Sequence, residues 1–269
     1  MASVAATSPP RPRRFAPLRQ EPGTQSDAPS LQGIVFDVDG TLCLPQHYMF
    51  SQMRAALGID RSVDILDHIR SLPTETERTE AVAKIQAIER EAMLQQQPQP
   101  GLVQLMDYLE ERGMRRALSQ QIFRCFILFL LTPRTSRAPV THLLQNHLPK
   151  HVFEPIITRD TPDLLPKPDP AGILHIARQW GLDNRAESMI MVGNIYLNSS
   201  LVICTPYLHK AFLFVSGHAA GAATVLLLND RNAYLKEHPH TDLCINRLDD
   251  LIEILDRGFV GQNHDHSHE

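Results

Sequence analysis

The sequence predicts an α/β fold with a doubly wound, mainly parallel, Rossmann-like sheet. Short apolar runs of strand length alternate along the chain with longer segments in which apolar residues recur at helical spacing. Alternation of this kind favours a parallel sheet with helices on both faces. A chain of 269 residues, of which 43% are hydrophobic, is long enough for one such core and an accessory piece.

Strands and helices follow one another in an order that suits this fold class. We expect strands at residues 34–36, 114–118, 153–158, 187–193, 224–228 and 241–245. We expect helices at residues 48–57, 65–69, 74–94, 102–112, 138–144, 171–180 and 247–255. Thr74 and the acidic residues after it are typical of a helix start, and Gly113 is typical of a helix end. The glutamine- and proline-rich stretch 95–101 predicts a linker.

The composition argues against several classes of protein. A net charge of −4 gives no sign of a nucleic-acid surface, and no apolar run approaches the roughly 18 residues that span a bilayer. The four cysteines, Cys43, Cys125, Cys204 and Cys244, show no C-x-x-C spacing, which disfavours a zinc site or a disulfide framework and fits a reducing compartment. We therefore expect neither nucleic acid nor a membrane as partner, and a cytoplasmic location.

The two ends of the chain are predicted to be tails. Residues 1–30 are rich in proline, serine, alanine and arginine, and we expect them to be disordered. An arginine-rich, acid-poor start is also typical of a mitochondrial presequence, so a mitochondrial location is the alternative. The prolines between residues 9 and 17 disfavour the amphipathic helix that a presequence needs. Residues 261–269 are rich in histidine, and here a solvated tail is favoured over loose binding of a transition metal.

A pair of carboxylates follows the first predicted strand. Asp37 and Asp39 lie one residue apart, and because residues i and i+2 of an extended segment point to the same side, both can face one pocket. Gly40 permits a sharp turn directly afterwards. Two carboxylates placed together are costly unless they share a cation or a proton. A strand that simply runs into an Asp-Gly turn is the alternative for a bare Asp-x-Asp, and the complete string from Phe36 to Leu42 argues against it.

That string, Phe36-Asp37-Val38-Asp39-Gly40-Thr41-Leu42, resembles the first motif of the haloacid dehalogenase superfamily, most of whose members are Mg²⁺-dependent phosphatases. The resemblance implies that Asp37 is the nucleophile, that Asp39 is the general acid/base, and that Gly40 and Thr41 contribute to substrate binding. It also implies an α/β core over 31–44 and 99–260, with a small helical cap over 45–98. A two-helix crossover is the alternative for 45–98, and the length of this segment favours the cap.

The second motif of the family is weak in this chain. In relatives the second strand ends in a serine or threonine that hydrogen-bonds the transferred phosphoryl group. Counted from Gly113, this position falls at or near Gln120. Ser119 is the candidate substrate-binding hydroxyl, although one residue earlier on a strand it points to the opposite side. We interpret the apolar run near 120–137 as an insert, and the alternative is an extra buried strand with Thr132 as a displaced hydroxyl.

Lys167 lies between two prolines in Leu165-Pro166-Lys167-Pro168-Asp169-Pro170. A single lysine in such a stretch is usually a solvated turn residue. The K-P-x-P pattern at this distance from the first motif, however, resembles the lysine signature of the same family. The resemblance implies a catalytic role, in which Lys167 neutralises the charges of the nucleophile and the phosphate.

The fourth motif departs from the family pattern. In active relatives it is acidic and holds Mg²⁺, whereas this chain has Asn194 and no carboxylate from there until Asp230. The resemblance implies three Mg²⁺ ligands, the Asp37 carboxylate, the Asp39 carbonyl and the side chain at Asn194. Because an asparagine keeps one oxygen but loses a full charge, we expect a much lower Mg²⁺ affinity. A second apolar insert, near 195–216, replaces the acidic loop. Both inserts are either translated non-coding segments or naturally diverged loops, which the sequence of the transcript would distinguish.

The predicted function is Mg²⁺-dependent hydrolysis of a phosphate monoester, with a small phosphorylated metabolite as the substrate and an aspartyl-phosphate at Asp37 as the intermediate. We expect this activity to be impaired by Asn194. A non-catalytic binding protein of the same family is the alternative. A haloacid dehalogenase is less favoured, because the second aspartate of the first motif, here Asp39, is normally absent in that branch. The sequence identifies neither the substrate nor the oligomeric state.

Overall fold

A six-stranded parallel sheet lies at the centre of the computed structural model, which describes residues 12–19, 26–120, 137–158, 161–165, 167–183, 185–194 and 212–262. The strands are β1 (Gly33–Phe36), β2 (Arg115–Gln120), β3 (Ile156–Thr158), β4 (Met189–Gly193), β5 (Ala223–Leu227) and β6 (Leu243–Ile245). Their order is β3-β2-β1-β4-β5-β6, and every neighbouring pair is parallel. This order is the Rossmann arrangement, so the predicted fold class is confirmed.

Helices cover both faces of the sheet, and three further helices form a separate unit. The described α-helices are α1 (Tyr48–Leu57), α2 (Ile65–Ser71), α3 (Glu75–Leu94), α4 (Leu102–Glu111), α5 (Ala138–His147), α6 (Ala171–Gln179), α7 (Phe212–Ala220) and α8 (Asp250–Arg257). Alternate residues of a strand point to opposite faces. Phe36 accordingly packs with α4, α5 and α8 on one face, while Val35 packs with α6 and the end of α7 on the other. The sheet is therefore doubly wound.

The first three helices enclose an apolar cluster of their own, centred on Met53, Ile69 and Ile85. Two neighbouring segments connect this helical unit to the sheet. The Leu44 N–H donates to the Gln97 carbonyl at 2.8 Å, and the Gln99 N–H donates to the Leu42 carbonyl at 2.9 Å. The helical unit thus has its own apolar cluster and is joined to the sheet by two segments. Both features support the predicted cap over 45–98, which stays a prediction.

The predicted N-terminal tail is wrong for residues 12–19. Phe15 is 3% exposed and belongs to the main core. The Phe15 N–H donates to the Phe259 carbonyl at 2.9 Å, and the Leu18 N–H donates to the Leu255 carbonyl at 2.8 Å. The segment is ordered because it covers apolar residues of the C-terminal part of the chain. Residues 1–11 and 20–25 lie outside the described residues, as do residues 263–269 of the histidine-rich tail.

Most of the two predicted inserts, residues 121–136 and 195–211, lies outside the described residues. The second predicted insert ends at 216, yet α7 begins at Phe212 and continues without a break through Gly217. Its last residues are thus the start of a helix that packs on the sheet, and not part of a separate loop. Among the described helices, none is both long and apolar enough to cross a membrane.

Candidate functional site

The predicted site residues meet at the carboxyl ends of β1 and β4. The strand order reverses between these two strands, and in doubly wound sheets ligands bind at such a switch point. Asp37 follows β1, Asn194 follows β4, and the Asp37 N–H donates to the Val192 carbonyl at 3.0 Å. The fold therefore brings the first and fourth motifs side by side.

Asp37 and Lys167 form a buried ion pair. The Lys167 ammonium lies 3.0 Å from Asp37 Oδ1, and the side chains of Lys167 and Asp37 are 4% and 16% exposed. The ammonium also donates to the Ser119 carbonyl at 2.5 Å. Burial lowers the pKa of Lys167, while the charges of Asp37 and Asp39 oppose that shift. The structure thus places a lysine against the candidate nucleophile.

The chain turns sharply after Asp39. Gly40 has a φ of 76°, a conformation that glycine adopts at little cost. The turn places the buried Thr41 so that its hydroxyl lies 3.5 Å from Asp37 Oδ2, at the limit of a hydrogen bond. Gly40 and Thr41 therefore both lie next to Asp37, and their predicted contacts with a substrate stay predictions.

Asp39 is exposed, in contrast to Asp37. Gln120, at the end of β2, donates from Nε2 to Asp39 Oδ2 at 3.0 Å. The buried Cys43 thiol lies 3.9 Å from Asp39 Oδ1. Burial raises the pKa of this thiol, and the Asp39 carboxylate raises it further. Asp39 can therefore reach solvent while Gln120 fixes its orientation.

Ser119 and Gln120 point in different directions. The Ser119 hydroxyl is buried and has no hydrogen-bond partner in the described part of the chain, and only the Ser119 carbonyl touches Lys167. The Gln120 side chain, in contrast, reaches Asp39. At the position where the resemblance implies a phosphate-binding hydroxyl, at or near Gln120, this chain has a carboxamide that contacts Asp39, and a substrate contact of Ser119 stays a prediction.

Asn194 is buried, and both the oxygen and the nitrogen of its carboxamide make hydrogen bonds. Its Nδ2 donates to the Gly40 carbonyl at 2.8 Å. Its Oδ1 accepts from Asn229 Nδ2 at 2.9 Å and from Asn232 Nδ2 at 3.0 Å. The Gly40 carbonyl also accepts from Gln99 Nε2 at 2.8 Å. These bonds join the loops after β1, β4 and β5.

The donor set does not fit the Mg²⁺ ion that the family resemblance implies. A carbonyl oxygen has two lone pairs, and both lone pairs of Asn194 Oδ1 are used by amide donors. Among the described residues, no group of three or more His, Cys, Asp or Glu side chains is arranged to hold a metal ion. Asp37 and Asp39 remain as residues whose oxygens could bind a metal ion. The role of Asn194 as a metal ligand stays a prediction, and the hydrogen bonds of its oxygen disfavour that role.

Three residues of the site were missed by reasoning from the sequence, namely Asn229, Asn232 and Gln99. Asn229 and Asn232 lie just beyond the carboxyl end of β5, which is next to β4 in the sheet. The rule that carboxyl ends of parallel strands share one edge could have marked them as candidates. No comparable signal marks Gln99, because it belongs to a run of glutamines.

The fold and the site together define a class, the Rossmann-like α/β proteins that combine carboxylates after the first strand with a buried lysine. A family model described as haloacid dehalogenase-like hydrolase matches residues 31–196. A yeast relative (Saccharomyces cerevisiae), named uncharacterized hydrolase YOR131C, is 37% identical over 230 residues, or 84% of this chain and 91% of that protein. The chain therefore belongs to the haloacid dehalogenase-like hydrolase family.

Further relatives agree with this family. The Arabidopsis thaliana haloacid dehalogenase-like hydrolase domain-containing protein At2g33255 is 28% identical over 175 residues, which cover 61% of this chain and 63% of that protein. Rhodobacter sphaeroides CbbY, solved with xylulose-1,5-bisphosphate, is 18% identical with a TM-score of 0.56, over 82% of this chain and 96% of that one. A predicted phosphoglycolate phosphatase from Haemophilus somnus is 15% identical with a TM-score of 0.55, over 83% and 97%. At these identities the two solved structures show the shared fold.

Proposed function

We propose that this hydrolase cleaves phosphate monoesters by way of an aspartyl-phosphate. The observation that carries the proposal is the buried ion pair between Lys167 and Asp37 at the switch point of the sheet. In this reaction an Asp37 oxygen forms a bond to phosphorus while the bond from phosphorus to the leaving oxygen breaks. The Lys167 ammonium offsets the negative charge that the carboxylate and the phosphoryl group bring together.

Asp39 is the proposed general acid and base. It gives a proton to the leaving oxygen in the first step. In the second step it takes a proton from water, whose oxygen attacks phosphorus while the bond from phosphorus to Asp37 breaks. Its exposure and its contact with Gln120 support this role, because a proton carrier needs access to solvent and a fixed orientation.

The Mg²⁺ ion is the part of the predicted function that the geometry favours least. Membership of the family generally implies Mg²⁺, which would offset the negative charge of the phosphate. The Asn194 oxygen, however, already accepts two hydrogen bonds and is therefore a poor third ligand. We therefore expect slow turnover.

A small phosphorylated metabolite is the proposed substrate class, with the helical unit as the cap. The solved relative that carries xylulose-1,5-bisphosphate and the relative named as a phosphoglycolate phosphatase support this class. The unit has its own core and is attached near Gly40, so it is suited to cover the site. A cytoplasmic location, with a mitochondrial one as the alternative, stays a prediction.

The decisive experiment is hydrolysis of a generic aryl phosphate by the wild type and by Asp37→Asn, with and without MgCl₂. We expect slow phosphate release by the wild type and none above background by Asp37→Asn, because the amide cannot attack phosphorus as a carboxylate does. The exposed Asp27 provides a matched control, and Asp27→Asn should keep the wild-type rate. Equal rates for the wild type and Asp37→Asn would refute the proposal.

A non-catalytic binding protein is the second candidate, and the engaged Asn194 carboxamide is the observation that favours it. This candidate predicts no turnover by the wild type with any phosphate ester, together with retained binding of phosphorylated ligands. Equilibrium dialysis with a sugar phosphate, compared between the wild type and Lys167→Gln, measures that binding.

A further inference from the structure

The carboxamides of Asn194, Asn229 and Asn232 form a closed network. Asn229 and Asn232 both donate to Asn194 Oδ1, and Asn232 Nδ2 donates in addition to the Leu227 carbonyl at 2.8 Å. The side-chain oxygens of the two partners are also used, because Asn232 Oδ1 accepts from the Asn229 N–H and Asn229 Oδ1 accepts from the Arg231 N–H, each at 2.8 Å. Each side-chain oxygen and nitrogen of this trio therefore has a hydrogen-bond partner.

The network also fixes which way the Asn194 carboxamide faces. A rotation that exchanged its oxygen and nitrogen would place Nδ2 against two donors, and it would place Oδ1 against the Gly40 carbonyl. Both arrangements are repulsive, because amide nitrogens only donate and carbonyl oxygens only accept. The donating nitrogen of Asn194 must therefore face Gly40, at 2.8 Å.

This contact joins the two loops that a shared Mg²⁺ would otherwise join. The family resemblance implies that the ion would lie between residue 194, which follows β4, and the Asp37 carboxylate and Asp39 carbonyl, which follow β1. In this chain an N–H···O hydrogen bond of 2.8 Å connects Asn194 to Gly40 in the loop after β1. A hydrogen bond can thus hold these loops together as a cation shared between two oxygens would.

We propose that the Asn194–Asn229–Asn232 network replaces the divalent cation as the connection between the first and fourth motifs, so that the site is assembled without metal. The network occupies the oxygen of residue 194 and presents an N–H where a cation would need an oxygen. This inference adds to the proposed function that the same site does not need a metal ion for its assembly. It rests on the proposed function only in taking these residues to be the active site.

The test measures Mg²⁺ binding directly, in the full-length protein, by isothermal titration calorimetry with MgCl₂ and by thermal unfolding with MgCl₂ or EDTA. The informative variant is Asn194→Asp, in which the donor that faces the Gly40 carbonyl becomes a charged oxygen. In EDTA this oxygen repels the carbonyl, whereas Mg²⁺ can bind to it. The matched control is Asn146→Asp, which adds the same charge at an exposed position of α5.

We expect no saturable Mg²⁺ binding by the wild type or by Asn146→Asp, and the same melting temperature for each in MgCl₂ and in EDTA. Asn194→Asp should melt below the wild type in EDTA, recover in MgCl₂, and bind Mg²⁺ at least about tenfold more tightly than the wild type. Saturable Mg²⁺ binding by the wild type would overturn the inference.

The wild-type titration decides the matter even where Asn194→Asp does not fold. Neither calorimetry nor thermal unfolding requires turnover, so the result is separate from the test of the proposed function. An inactive wild type without Mg²⁺ binding refutes the phosphatase and upholds the network. An active wild type that binds Mg²⁺ tightly upholds the phosphatase and refutes the network.

Discussion

At the scale of single residues, Lys167 supplies the positive charge that lies against Asp37 in the candidate site. This lysine is buried beside Asp37, and burial lowers its pKa from the ordinary 10.5. Because the proposed reaction needs the ammonium form, raising the pH removes the charge earlier than it would for an exposed lysine. We expect phosphate release to fall on the alkaline side with an apparent pKa below 10.5, as measured from kcat/KM against pH.

Lys167→Arg is the control for this pH dependence. The guanidinium stays charged across the same range, so the variant should be slower than the wild type but should lose the alkaline decline. If Lys167→Arg declined at the same pH as the wild type, the titrating group would not be Lys167.

Gly40 and Gly58 have the same backbone conformation in different surroundings. Their φ angles are 76° and 69°, but a Cβ at Gly40 would lie 2.9 Å from Asn194 Nδ2, whereas one at Gly58 would meet nothing within 4 Å. Gly58→Ala should cost about 1–2 kcal/mol, the price of the left-handed conformation. Gly40→Ala should cost about 1–3 kcal/mol more, because it displaces a buried amide from its partner. Urea unfolding of both variants measures the difference, and equal costs would contradict the tight contact.

At the scale of elements, the strand ends were predictable and the contacts between loops were not. Asp37 and Lys167 were recognisable because their motifs are continuous in sequence. The position of Gln120 could be counted from Gly113, since a helix-glycine-strand unit has a regular length. The bonds from Asn194 to Asn229 and Asn232 depend instead on β5 lying beside β4, which no local pattern in the sequence specifies.

The start of α1 lies close to the loop after β5. Burial, and to a smaller extent the charge of Arg231, together lower the pKa of His47 to about 4. Removing that charge in Arg231→Gln should raise the pKa of His47, but not to the ordinary 6.5, because burial is the larger cause. NMR titration of the imidazole, assigned with His47→Gln, measures the change. An unchanged pKa in Arg231→Gln would show that the helical unit does not keep this position in solution.

At the scale of the whole molecule, the N-terminal segment and the C-terminal part of the chain form one side of the core. The rings of Phe15 and Phe259 lie 5.6 Å apart, and Arg14 pairs with Val260 in an antiparallel bridge. The sequence did not predict that this segment packs on the core. The segment is rich in proline and arginine, and its single phenylalanine, Phe15, contacts Phe259, which is more than 200 residues away. A targeting peptide that is cleaved beyond Phe15 would remove part of the core.

Phe15→Ala estimates the cost of losing that contact. The ring is 3% exposed, so its removal should lower the free energy of unfolding by about 3–5 kcal/mol, through lost burial and the cavity left behind. Tyr234, which is 56% exposed, provides an aromatic control, and Tyr234→Ala should change the free energy by no more than about 0.5 kcal/mol. Guanidinium unfolding followed by circular dichroism measures both variants. Equal effects would mean that residues 12–19 leave the core in solution, as the sequence-based prediction of a disordered tail expects for this segment.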